Sequence, residues 1–180
     1  MTATTTDRET LTIAFERRLH ASREDVFDAW TRPEQISQWW DPTGAPLVAC
    51  EVDLREGGAF RFVHEGHAPP FTGTYTRIER PSKLVFDALG SVGTVTIESV
   101  DALTRLRVTI RCASAAQLDH FVQLGVATNT DRTLDNLVAH LDAHAAADTS
   151  PTWLCHGGQR ARLLAPGRAP EGATKTKTGR

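Results

Sequence analysis

The stretch VFDAWTRPEQISQWW, Val26 to Trp40, leads into VDLREGGAFRF, Val52 to Phe62, and FTGTYTRIERPSKLVF, Phe71 to Phe86, and these three phrases decide the fold. The first holds three of the four Trp. In it Val26, Phe27, Ala29 and Trp30 form one apolar helical stripe. Ser22 stands before that stripe as an N-cap, with Glu24 and Asp25 in the first turn, where carboxylates meet the positive end of the helix dipole. Pro33 restarts the chain as a second short helix, because the N–H that proline lacks would go unused at a first helical position. Ile36, Trp39 and Trp40 make the apolar side of that helix, and Pro42 and Gly44 end it. In the second and third phrases the period changes to two, the mark of strands. After Gly57-Gly58, Phe60, Phe62 and His64 face one way, and Arg61 and Val63 the other.

Outward from this centre the same rules extend to both ends. Leu11, Ile13, Phe15, Arg17 and Leu19 alternate with polar residues as a first strand. Further strands are expected over Ala49 to Leu54, Ala59 to His64, Thr72 to Glu79, Lys83 to Ala88, Val92 to Val100 and Arg105 to Cys112. The turns between them, including His67 to Pro70, Arg80 to Ser82, Gly90 and Asp101-Ala102, are short enough to require antiparallel hairpins. Ser114 and Gln117 fit a capping box, Gly125 interrupts the helical region, and Leu134, Leu137, Val138, Leu141 and Ala145 form one stripe of a longer helix. At ~18 residues and ~1.5 Å per residue this helix spans roughly 27 Å, about one sheet width. A single antiparallel sheet must cover one face, and the last helix is the only element long enough to do it. The expectation is an α+β domain over residues 10–147, with a short flexible N-terminus at 1–9 and a disordered basic tail at 148–180. Within the tail, Trp153-Leu154-Cys155 is an apolar patch that could dock weakly.

Charge narrows the function classes. The chain carries a formal −2, but six of its 20 Lys and Arg and only one of its 22 Asp and Glu lie from Pro151 onward. The preceding 150 residues hold 14 bases against 21 acids, a net −7, which speaks against a nucleic-acid-binding face there. Cys50, Cys112 and Cys155 form no CxxC pair and no even framework, so free thiols in a reducing compartment are expected. Met1 to Thr10 has no apolar core of a signal peptide, and no window approaches the ~20 apolar residues of a membrane span. The expected location is the cytoplasm, with no membrane partner.

These phrases, in this order, resemble the SRPBCC superfamily with its START-like, helix-grip fold, and within it the branch named after the activator of the heat-shock-protein-90 ATPase. The resemblance is carried by AWTRPE (Ala29 to Glu34), Trp39-Trp40, VDLREGG (Val52 to Gly58), Phe60, Phe62, the phrase from Gly73 to Phe86, and LDNLVAHL (Leu134 to Leu141). It covers roughly Thr10 to Ala145. It implies a sheet of about seven strands curled around the C-terminal helix, with a cavity between them and two short helices after the first strand. Family members often carry a Gly-Trp phrase before the last helix. This chain has Gly125-Val126 and then Thr128, Asn129 and Thr130, which bears on the helix start and the cavity floor. The basic tail has no counterpart in the family. ATPase activation in the eukaryotic co-chaperone depends heavily on a separate domain, which this sequence lacks, so the family name is not an activity.

With that fold, Trp30, Trp39, Phe60, Phe62, Phe71, Tyr75, Phe86 and Phe121 are the expected ligand-binding side chains around a small, mostly apolar molecule. For any one ring the alternative is plain core filling. Trp39 and Trp40 are adjacent and cannot share a helix face, so one packs inward and the other sits at the pocket mouth. Phe62→Trp is expected to shrink the cavity. Asp53 and Arg55 are read as a pair that fixes the turn. His140 and His144 have metal-pair spacing, but the H-E-x-x-H base and a third ligand are missing. No catalytic residue, metal or cofactor is expected. A cyclase- or hydrolase-like enzyme would need a buried ionisable group facing Tyr75, with Asp87, Glu98 and Asp119 as the candidate carboxylates. A chaperone-partner or other interaction module would need an exposed apolar patch near Trp40. The chain is expected to be a monomer or homodimer.

Overall fold

A computed structural model of the chain describes residues 3–66 and 69–148. The elements in order are β1 (Ala3–Asp7), β2 (Thr12–Leu19), α1 (Arg23–Thr31), α2 (Pro33–Trp39), β3 (Ala49–Val52), β4 (Ala59–Val63), β5 (Phe71–Glu79), β6 (Lys83–Ala88), β7 (Ser91–Val100), β8 (Leu103–Arg111), α3 (Ala115–Gln123) and α4 (Val126–Asp148). The eight strands among the described residues pair antiparallel in one sheet, ordered β1-β2-β8-β7-β6-β5-β4-β3. Strands β3 to β8 form a meander, and β2 returns beside β8, so the two short helices bridge opposite parts of the sheet. The architecture is the α+β helix-grip fold.

Local signals act where the sequence places them. Ser22 accepts from the Asp25 N–H and caps α1, and Ser114 accepts from the Gln117 N–H and caps α3. The Gln117 amide oxygen reaches back to the Ala113 N–H at 2.7 Å, while its NH₂ donates to the Leu89 carbonyl, tying α3 to the β6–β7 turn. Gly125, at φ 69°, separates α3 from α4. At 23 residues and ~1.5 Å each, α4 is roughly 35 Å long, longer than the stripe alone required.

Two expectations change. The N-terminus expected to be flexible contains β1, which pairs with β2 from Ala3↔Glu16 to Asp7↔Thr12 and makes the sheet eight-stranded. Its polar side chains gave no alternation to read, because β1 is exposed along its whole length and edge pairing is made by backbone groups. Strand β3 stops at Val52 instead of Leu54, since Asp53 to Gly58 turn back on themselves through Arg55 N–H to Asp53 carbonyl and Gly58 N–H to Arg55 carbonyl. The expected tail lies, apart from Asp148 at the end of α4, outside the described residues, as do Trp153-Leu154-Cys155 and His67. No helix among the described residues is long and apolar enough to cross a membrane.

The sheet curls over α4, and β2 and α4 are joined through charge. Arg17 points inward from β2, is 2% exposed, and reaches Asp131 at 2.8 Å and Asp135 at 3.1 Å on α4. On the concave side, cross-strand neighbours of two aromatic rings are glycines: Phe60 faces Gly73 and Phe86 faces Gly93. A Cβ at either glycine would stand 2.3 Å from the neighbouring ring, so only glycine lets these rings lie over the adjacent backbone. A bulge between Tyr75 and Arg77 bends β5 in the same region.

Candidate functional site: an apolar cavity with a polar rim

Between the curled sheet and the helices lies a cavity of about 470 Å³. Its aromatic wall is Trp30, Trp40, Phe71, Phe86 and Phe121, and the inner faces of β6, β7 and β8 add Ala88, Ser91, Gly93, Val108 and Ile110. Val126, Asn129, Thr130, Thr133 and Leu134 come from α4, and Asp41, Pro42, Thr43, His64, Glu65 and Leu89 complete the lining. Strand register explains the sheet side: Phe86, Gly93 and Ile110 occupy one cross-strand row, so the Phe86 and Ile110 side chains point to the same surface, with the bare Gly93 backbone between them.

Of the eight expected ligand-binding residues, Trp30, Phe71, Phe86 and Phe121 line this cavity. Trp39, Phe60, Phe62 and Tyr75 do not; they are buried behind it in the packed core. The reason is a continuous chain of rings. Trp39 meets Trp30 at 5.1 Å and Trp40 at 5.4 Å, Trp40 meets Phe62 at 4.8 Å, and Phe60 meets Phe62 and Tyr75 at 5.1 Å each. Such pairs stabilise by about 0.5–1.5 kcal/mol beyond area burial, so these rings consume one another's surfaces. Phe62→Trp would therefore disturb core packing, and a cavity-filling substitution belongs on the β8 wall instead, at Ile110.

The polar rim was not read from the sequence as a site. Asp41-Pro42-Thr43-Gly44 has the Asp, Pro and Gly of a tight turn, and the Gly44 N–H closes it on the Asp41 carbonyl at 2.9 Å. The Asp41 carboxylate accepts from the Thr43 N–H at 2.8 Å and the Thr43 hydroxyl at 2.6 Å through Oδ1. Its Oδ2 lies 2.8 Å from His64 Nδ1, at the end of β4. Burial by itself would raise the Asp41 pKa, but the Thr43 and His64 hydrogen bonds and the charge of His64 together hold it below its ordinary value of 3.8. Helix α4 fastens the same turn, with Asn136 donating to the Asp41 carbonyl at 2.8 Å and Thr133 to the Trp40 carbonyl at 3.1 Å. The alternating Phe60-Phe62-His64 face and the turn residues were both legible in the sequence; their meeting was not, since 23 residues separate the pair.

The residues expected to serve an enzyme are not assembled. Glu98 pairs with Arg105, Asp119 with Arg8, Asp87 is exposed, and none lines the cavity. Burial, and secondarily the Cys50 charge, raise the Tyr75 pKa, so its phenol stays protonated. Burial also pushes the Cys50 thiol up to about 11, helped by Glu34 and Glu51, which leaves it a poor nucleophile. Arg55 pairs with Asp53 at 2.8 Å beside the glycine turn. His140 and His144 lie with ring centres 4.2 Å apart and planes tilted by 49°, and no group of three or more His, Cys, Asp or Glu among the described residues could hold a metal ion.

A curled antiparallel sheet, a long C-terminal helix and an apolar cavity between them define a helix-grip protein of the SRPBCC superfamily. Residues 20–142 match the family model described as Activator of Hsp90 ATPase homolog 1-like protein, and the chain belongs to that family. Protein Ms6760 from Mycobacterium smegmatis superposes with a TM-score of 0.71 at 20% identity, covering 80% of this chain and 99% of its own. NE0264 from Nitrosomonas europaea gives 0.69 at 20% identity over 76% and 97% of the two chains. CalU16 from Micromonospora echinospora gives 0.58 at 22% identity over 82% and 90%. Likeness at these identities carries the fold alone. No curated protein matches the sequence significantly.

Proposed function

We propose that this is a cytoplasmic binding protein that encloses a small, mostly apolar molecule between its sheet and α4. The single observation that supports this most is the cavity of about 470 Å³ walled by Trp30, Trp40, Phe71, Phe86 and Phe121, a volume in the range of small-molecule sites. Enclosing apolar area at ~25 cal/mol/Å² gives useful affinity without a strong polar anchor. The interaction-module reading draws less support. Trp40 packs its ring against Phe62 and Phe71 at 4.8 and 5.2 Å and leaves no broad apolar face of its own.

The test is titration of the purified chain with the apolar fluorophore N-phenyl-1-naphthylamine, in parallel with Ile110→Phe. Ile110 sits on the β8 wall, half-buried at the edge of the core, so a larger ring there occupies cavity volume. Binding by the parent and at least tenfold weaker binding by the variant are expected. Equal affinity in the two proteins, or none in the parent, would sink the reading.

A further inference from the structure

Among the described residues, the cavity's ionisable lining is Asp41, His64 and Glu65, with no Lys or Arg. Asp41 is 7% exposed and both its oxygens are engaged, Oδ1 by the Thr43 N–H and hydroxyl, Oδ2 by His64. A carboxylate oxygen only accepts, so the 2.8 Å contact places the imidazole hydrogen on Nδ1. In the neutral ring Nε2 then keeps its lone pair and acts as an acceptor. No described residue donates to Nε2. The Asp41 turn is itself held by Asn136 and Thr133 of α4, which fixes the carboxylate that orients the ring.

Building on the apolar-cavity reading, we infer that His64, oriented by Asp41, receives the head group of the ligand, and that this ligand is an apolar molecule ending in a neutral hydroxyl whose O–H donates to Nε2. Three alternatives fit less well. A carboxylate or phosphate would lie beside the Asp41 and Glu65 carboxylates with no Lys or Arg among the described lining residues to offset them. A terminal ammonium would lose its water against aromatic walls, with only the second lone pair of Asp41 Oδ2 and the exposed Glu65 carboxylate to replace it. A pure hydrocarbon would cover the imidazole acceptor and leave it unpaired, which is costly. A phenol or alcohol satisfies Nε2 without bringing charge into the cavity.

The experiment uses a matched set at pH 8: biphenyl, 4-phenylphenol and biphenyl-4-carboxylate, each displacing N-phenyl-1-naphthylamine from the full chain. At this pH the phenol is neutral and the carboxylate ionised. The expected result is that 4-phenylphenol binds about tenfold tighter than either of the others, the scale of one well-made hydrogen bond. In His64→Phe that advantage disappears, because the variant has no acceptor for the phenol to pair with or for biphenyl to leave unpaired. Long-range ¹⁵N–¹H correlation of the imidazoles supplies a readout that needs no variant: the His64 Nε2 resonance moves with 4-phenylphenol and stays put with biphenyl. A carboxylate that binds as tightly as the phenol, a phenol no better than biphenyl, or an unmoved Nε2 overturns the head-group assignment, and biphenyl binding in the same experiment preserves the cavity reading. If none of the three displaces the dye, both fall together.

Discussion

Trp39 donates its indole N–H to the Ala29 carbonyl at 3.0 Å. Within a continuous helix that carbonyl would accept from the N–H four residues on, but position 33 is proline and has none. The tryptophan thus completes the hydrogen bonding that the break between α1 and α2 leaves open. Trp30 is also buried, yet its indole N–H has no hydrogen-bond partner among the described residues. Trp39→Phe should therefore destabilise by about 1 kcal/mol more than Trp30→Phe in urea unfolding; equal losses would show that the indole–carbonyl bond contributes nothing. Asp41 gives a second prediction, with a sign. Its folded pKa lies below its ordinary 3.8, so its contribution is present above that value and is lost as pH falls through the folded value. The stability difference between the wild type and Asp41→Asn should shrink from pH 7 to pH 3. A difference that stays constant across that range would remove the carboxylate's charge from the explanation.

At the scale of elements, α4 is held to β2 by a buried cation that looks out to two partly hydrated anions. Arg17 is 2% exposed, whereas Asp131 and Asp135 are 32% and 65% exposed. Removing the anions strands a guanidinium away from water; removing the cation leaves carboxylates that solvent can reach. The double variant Asp131→Ala/Asp135→Ala should lose about 3 kcal/mol, and Arg17→Met clearly less. The reverse order in chemical denaturation would mean that the aliphatic stem of Arg17, not its charge, secures the helix. Alternation alone had already set Arg17 on the inner face of the first strand, because a strand's faces follow from period two. Its partners lie 114 and 118 residues away, beyond the reach of any local pattern. The capping serines, the proline restart and the break at Gly125 were all legible, since each depends on backbone groups within a few residues. Strand β1 was not, because an edge strand without apolar alternation looks like any polar segment.

For the whole molecule the decisive quantity is the volume left unfilled. Without ligand, Ile110→Phe should melt at or above the parent's temperature in calorimetry, because the added ring occupies empty space instead of overpacking a filled core. A clear loss of stability would mean that the β8 wall is already closely packed. The sequence by itself determined the order and type of most elements, the inward faces of the strands, the long covering helix and the family resemblance, since all of these follow from short-range periodicity and turn chemistry. It also supplied eight aromatic candidates for one cavity. Only the tertiary structure separated Trp30, Phe71, Phe86 and Phe121 on the wall from Trp39, Phe60, Phe62 and Tyr75 in the packing behind it. The same holds for Asp41 and His64, brought to 2.8 Å at the rim. Periodicity fixes which way a side chain points; whether it meets another ring or an empty space depends on the curvature of the sheet and on partners distant in sequence.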